Sequence, residues 1–392
     1  LKIRGLNRHQ SWPYVGYAMP ASLQRHDAEV LKKELQCNAV RTSHYPQSHH
    51  FLDACDELGL LVFTEIPGWQ HIGGAHWKDI AVENTRDMVL QYRNHTSIIL
   101  WGVRINESQD DDAFYARTNA VAHELDPSRQ TSGVRYLWKS RLLEDVYSFN
   151  DFSHAGTNGG LLPKWLISPD RNKGYLISGH NGHMYPTKTF DTAVNRLDQA
   201  LRHATVLDAA YGREEVAGAF GWCMTDYYTH GDFGSGDRIC YHGVQDMFRN
   251  PKLASAVYAS AGDGAPVLAV GSEMDIGDYP AGSIGDNYIF TNADFVRVWR
   301  DDRLLGEFRP KGKRWRHLKH PPIPFNDTIG DVIEKGEGWS HRKAEALKDS
   351  LLAIQRFGVK IPVKYILKTG LRAVRYLAGP GIFSRLYGKY FE

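Results

Sequence analysis

The order of segments predicts an α/β chain: a (β/α)8 TIM barrel over residues 1–262, followed over 263–392 by a partial β-sandwich with a helical segment. Three observations lead there. Short apolar runs stand at 2–7, 38–43, 60–65, 97–104, 130–135, 145–149, 174–178 and 217–222. Helical periodicities lie between several of them, at 23–36, 81–93, 111–125 and 190–210. Eight β units alternating with helices over about 250 residues suit a closed barrel. A doubly wound open sheet is the alternative, but no glycine-rich phosphate loop follows the first strand.

Beyond residue 262 the pattern changes. FVRVWR-DD-RLLGEF (295–308) alternates on both sides of a two-residue turn and predicts a hairpin. SHRKAEALKDSLLAIQRF (340–357) predicts a helix that starts at Ser340 and stops at Gly358. A second helix is expected from about 362 to 377, with Lys360, Lys364, Lys368 and Arg372 on one face; a solvated face suffices to explain that stripe.

The 392 residues carry a formal charge of +2, which calls for no polyanionic partner such as nucleic acid. No apolar run approaches the roughly 18–20 residues of a membrane span. Cys37, Cys55, Cys223 and Cys240 have neither CxxC spacing nor a disulfide framework, so buried free thiols are expected. The opening Leu1-Lys2-Ile3-Arg4, without an initiator Met or a signal-like segment, reads as the interior of a longer protein. Cytoplasmic and periplasmic or secreted locations both stay open.

In a (β/α)8 barrel, reacting groups stand at the carboxyl ends of the strands. Those ends are polar here: Asn7-Arg8-His9, Arg41 through Tyr45, Glu65, Arg104 through Glu107, Asn150-Asp151, Gly179-His180-Asn181 and Trp222. Each alone is explained as a cap, a loop carboxylate or a satisfied histidine. Seven ends loaded with hydrogen-bonding groups predict a solvated site of sugar size.

Two stretches carry a family resemblance. NAVRTSHYPQSHHFLDACDELGLLVF (38–63) and RNHTSIILWGVRINE (93–107) resemble the signatures of glycoside hydrolase family 2, and RGLNRH (4–9) and residues 221–252 look similar as well. The resemblance implies retaining hydrolysis of a terminal β-linked sugar by two carboxyl groups about 5–5.5 Å apart. It makes Glu107 the acid/base and Asn106 the partner of the sugar 2-hydroxyl. It puts the attacking carboxylate at the end of the seventh strand, where this chain has Gly179. Three readings follow: a nucleophile-deleted enzyme, a sugar-binding pseudoenzyme, or a bulge glycine with another carboxylate attacking, such as Asp151 or Asp226.

The resemblance further implies that Arg41 points at the nucleophile's site, an ion pair with Glu65 being the rival role. His9 and His44 would bind sugar hydroxyls or the transition state. Asn150 or Asp151 would fill the polar position after the sixth strand, with Phe152 where a tyrosine is often found. His183 would stand near the nucleophile, and Trp222 would form a platform under the ring. No metal and no cofactor are expected, because Trp69 stands where a second carboxylate ligand would be. The partner implied is an oligosaccharide or β-glycoside, and a homo-oligomer is compatible with it. Galactose is favoured, because the glucuronate-reading Asn-x-Lys pair has no good counterpart in Arg249-Asn250-Pro251-Lys252 or Asn172-Lys173-Gly174.

Overall fold

The computed structural model describes all residues except 183–186, 233, 273–284, 313, 359, 364, 367–384, 386–387 and 390–392. His183 and most of the basic helix expected at 362–377 therefore lie outside the described residues. The chain divides into two compact units. One comprises Leu1–Thr189, Asp198–Ala265 and Trp315–Lys319; the other comprises Phe190–Leu197, Pro266–Arg314 and His320–Glu392.

In the first unit, eight parallel strands close in sequence order: β1 (Ile3–Arg8), β2 (Ala39–Thr42), β3 (Leu61–Glu65), β4 (Ile98–Gly102), β5 (Gln130–Arg135), β6 (Val146–Asp151), β7 (Gly174–His180) and β8 (Gly218–Gly221). Closure is made by β1 pairing with β8, Ile3 opposite Gly218 and Leu6 opposite Gly221. Between the strands come α1 (Ala21–Glu29, continued by a π-helical turn), α2 (His49–Leu58), α3 (Ala75–Tyr92), α4 (Asp112–Leu125), the short α5 (Lys164–Ile167) and α6 (Ala193–Tyr211), which belongs to this unit from Asp198 onward. Local signals account for several ends. The Ser48 side chain caps α2 by accepting from the His50 amide, and Gly59, at φ 66°, ends it. Asp111 caps α4 through the Phe114 amide at 3.0 Å.

Period-two alternation sorts the barrel interior into layers. Near the amino ends, Ala39, Phe63, Leu100, Val134, Val146, Leu176 and Phe220 form an apolar plug. Gly5 belongs to that level because a Cβ there would stand 2.4 Å from the Phe220 ring. Two residues further along β1 and β2 come Asn7 and Arg41, both fully buried. Above them the interior opens into a cavity.

After β8 the first unit adds a small hairpin, β9 (Tyr227–Tyr228) with β10 (Ile239–Cys240), and α7 (Ser255–Ser260). All four cysteines are free and buried. The second unit contains β11 (Leu268–Val270), β12 (Tyr288–Thr291), the hairpin β13 (Val296–Arg300) with β14 (Arg303–Phe308), β15 (Ile323–Pro324), α8 (Val332–Glu337) and α9 (His341–Phe357). Its three-stranded sheet has the order β11-β12-β15. Ile289, Phe308, Ile323 and Phe325 form one small core, and Ile329, Ile333, Ala344, Leu347 and Leu351 another. Among the described residues no helix is long and apolar enough to cross a membrane.

Candidate active site

At the carboxyl ends of the strands lies a cavity of about 510 Å³, within the usual range for small-molecule sites. His9, His44, Trp69, Asn106, Glu107, Asn150, Phe152, Trp222 and Tyr227 line it, together with Tyr17, Tyr45, Tyr228 and His230. Glu107 is the only carboxylate among the described lining residues, and none of them is Lys or Arg.

The chain leaving β4 carries Glu107 into this space and fixes it there. Its amide donates to the Val134 carbonyl at 3.1 Å, while the Asn106 carbonyl accepts from the Gln70 amide at 2.8 Å. Held from both sides, Glu107 adopts φ 53°, a conformation uncommon for a residue with a side chain. Its carboxylate accepts three N–H bonds: Oε1 from Asn150 at 2.8 Å, and Oε2 from Trp69 at 3.0 Å and Gln70 at 3.3 Å. Gly68, at φ 142°, brings the Trp69 loop close; a Cβ there would meet Ile105 at 2.8 Å.

Below the cavity floor, Arg41 forms a forked pair with Glu65, its Nη2 lying 2.7 Å from Oε1 and 2.9 Å from Oε2. It also donates to Asn7 at 2.9 Å, to the Ser178 carbonyl at 3.1 Å and to Asn106 at 2.8 Å. Arg41 thus supports Asn106 and the strand just before Gly179 without lining the cavity. Burial raises the Glu65 carboxyl, but Arg41 and His44 outweigh it and hold the pKa below the ordinary value. His44 lies 2.7 Å from Glu65 and stacks on Trp222 at 5.3 Å. His9 stacks on Tyr227 at 4.1 Å. Burial lowers the pKa of both histidines, and nearby His44 and Arg41 lower that of His9 further. Each therefore presents a neutral ring at pH 7.

Gly179 is buried in β7, opposite Asn150, and a register shift between Phe149 and Asn150 leaves Ser178 as the extra residue. Its backbone is outside the left-handed region, so conformation alone does not demand glycine there. A Cβ on Gly179 would point at two cavity-lining residues, 2.8 Å from Asn150 Oδ1 and 3.3 Å from Phe152 Cζ. That Asn150 oxygen accepts from Ser178 Oγ at 2.9 Å. The Asn150 side chain therefore lies between Glu107 and position 179.

Two expectations need correction. Asp151 does not face the cavity: its Oδ1 accepts from the Ser153 amide at 3.1 Å and its Oδ2 from the Leu162 amide at 2.7 Å, organising the loop after β6. Asp226 is not available as an attacking group either. It is buried away from the cavity against Lys252 at 2.6 Å, where burial pushes its carboxyl up to about 7 against the pull of that lysine. Lys252 also donates to the Thr187 carbonyl at 2.6 Å, and Arg249 pairs with Asp27 at 2.8 Å, so that run serves the fold. Sequence reasoning missed Trp69 and Gln70 as partners of Glu107. The signal was their place on the loop after β3, beside the loop that carries the Asn-Glu pair.

Fold and site together define a (β/α)8-barrel protein with a carboxylate-bearing, aromatic-walled cavity at the carboxyl mouth. Residues 1–160 match the family model described as the TIM barrel domain of glycosyl hydrolases family 2. The chain is 54% identical over 333 residues to a β-galactosidase of Thermoanaerobacterium thermosulfurigenes, covering 84% of this chain and 46% of that protein. To a β-galactosidase of Thermoanaerobacter pseudethanolicus it is 49% identical over 331 residues, covering 83% and 43%. A solved structure of Bacteroides uniformis β-glucuronidase 3 shares the fold, with TM-score 0.65, 23% identity and coverage of 83% of this chain and 46% of that one. The chain belongs to glycoside hydrolase family 2. It spans about half the length of the curated relatives it matches.

Proposed function

We propose that the barrel is that of a retaining exo-β-glycosidase of β-galactosidase type, with glycine in place of the attacking carboxylate. Such a chain binds a terminal β-linked sugar and turns it over only slowly. One observation carries the reading: Glu107 is the sole carboxylate among the described residues lining the cavity, and Asn150, which donates to it at 2.8 Å, would also stand 2.8 Å from a Cβ on residue 179. In this reading Glu107 protonates the departing oxygen and Asn106 binds the 2-hydroxyl. Neutral His9 and His44 bind other hydroxyls, and Trp222 supplies a flat apolar face for the ring. Without a carboxylate at 179 no glycosyl-enzyme ester forms, and the first displacement loses its nucleophile.

A neutral sugar is supported by the absence of Lys and Arg from the described cavity wall, since a sugar carboxylate calls for a cation. The names of the two curated relatives described above agree. A second reading, a sugar-binding pseudoenzyme, draws on Asn150 standing where a side chain from 179 would enter. Assays of the parent and Gly179→Glu on aryl β-galactoside and aryl β-glucuronide separate these readings. The proposal expects the variant to hydrolyse the galactoside at least about a hundredfold faster than the parent. An inert, folded variant supports the binder, and preference for the glucuronide overturns the sugar assignment.

A further inference from the structure

We propose that the mouth of the cavity takes an uncharged aromatic aglycone in preference to a second sugar, so that the favoured ligands of this chain are aryl β-galactosides. This rests on the glycosidase reading above and adds the chemistry of the leaving group. Exposure sorts the lining residues by depth. Asn106, Glu107 and Asn150, which carry the amides and the carboxylate, are buried, whereas Tyr17, Pro67, Tyr228 and His230 are exposed. A site that removes a terminal sugar seats that sugar among the deep hydrogen-bonding groups, and the leaving group then extends toward the exposed ones. There it meets rings and a proline.

Glu107 fixes where that exit begins. The glycosidic oxygen must lie beside its carboxylate, and the Trp69 indole N–H donates to Oε2 of that carboxylate at 3.0 Å. Trp69 in turn meets the His230 ring at 5.5 Å with a tilt of 58°. The loop after β3 and the connection between β9 and β10 thus place two rings side by side next to the acid. Tyr17 is also held in place: its ring stands edge-on to Tyr45 at 5.5 Å, and its carbonyl accepts from the Gln10 side chain at 3.2 Å. Rings fixed in advance lose little freedom when a flat ligand lies against them.

The polar groups at the mouth decide between the two kinds of leaving group. A second sugar brings several hydroxyls, which call for amides, carboxylates or cations as partners. Among the described residues, Tyr17, Pro67, Trp69, Tyr228 and His230 supply none of these, and the indole N–H of Trp69 is already given to Glu107. Their polar atoms sit at ring edges and leave the faces apolar. An aryl group asks for those faces.

The test measures binding of methyl β-galactoside, phenyl β-galactoside and lactose to the unaltered chain by calorimetry. Affinity is read rather than rate, because an aryl group departs faster wherever it is bound. Phenyl β-galactoside should bind about tenfold more tightly than the methyl glycoside, the scale of one or two aromatic contacts, and lactose within about threefold of it. Tyr228→Ala and His230→Ala, both at exposed positions, should each shrink the phenyl advantage by about threefold. If lactose binds as tightly as phenyl β-galactoside, or phenyl no better than methyl, the aglycone assignment is overturned while the glycosidase reading stands. A phenyl advantage that survives in both variants also overturns it, because the rings named here are then not its source. If none of the three galactosides binds to folded protein, the glycosidase reading fails and this assignment with it.

Discussion

Asn150 donates its side-chain amide to Glu107 Oε1 at 2.8 Å, and that contact joins the end of β6 to the one carboxylate of the described cavity wall. The other end of the same amide is fixed by Ser178, so Asn150 is set by its partners in one orientation. It holds Glu107 and also borders the space into which a side chain at 179 must grow.

Replacing Asn150 by alanine in the Gly179→Glu background should therefore lower kcat about ten- to a hundredfold while leaving KM within a few-fold. That corresponds to a lost hydrogen bond to a charged group, about 1.5–3 kcal/mol. Steady-state kinetics on an aryl β-galactoside provide the check. A rise in kcat would mean that Asn150 acts chiefly as an obstacle to residue 179.

Arg41→Met should destabilise the fold by about 3–5 kcal/mol, because it strands the Glu65 carboxylate in the barrel interior. Adding Glu65→Leu should recover much of that loss. Urea unfolding of the single and double variants measures both. A single variant within about 1 kcal/mol of the parent would show that the pair is not needed for stability.

Stability should fall as the pH drops below about 6.5, where the unfolded chain begins to protonate its histidines. Burial pushes His180 well below its ordinary value and His203 down to about 3. Both stay neutral in the fold while their unfolded counterparts take up protons. The unfolded state then binds more protons, so stability is present above pH 6.5 and is lost as the pH falls toward the folded pKa. Each such group costs about 1.4 kcal/mol per full pH unit in that window. His203→Gln should flatten the decline between pH 6.5 and 4.5 in urea midpoints; an unchanged slope would mean that His203 is not among the groups responsible.

The eight barrel strands were legible because their apolar runs are short, regularly spaced and separated by helical periods. Glu107 was legible because the Asn-Glu pair ends such a run. What failed concerns direction rather than position. Asp151 stands at a strand end like Asn150, yet the next residue of a strand points to the other face, and Ser153 and Leu162 claim its carboxylate. Arg41 was open between two roles, and the structure gives it the Glu65 pair together with a contact to the backbone before Gly179. Trp69 and Gln70 were missed because their bond to Glu107 joins neighbouring loops about 37 residues apart, a relation that no local pattern encodes. The hairpin around Asp301-Asp302 and the helix ending at Gly358 were read from local signals alone.

In the function proposed above, residue 179 is the place from which a carboxylate would attack the sugar. A 2-deoxy-2-fluoro-β-galactosyl fluoride tests it directly, since a fluorine at C2 slows release of the glycosyl-enzyme and lets it accumulate. Intact mass and peptide mapping should find one label on the Gly179→Glu variant, carried by residue 179, and none on the parent chain. A labelled parent, a label on the variant at any other carboxylate, or a folded variant that takes no label would contradict the account.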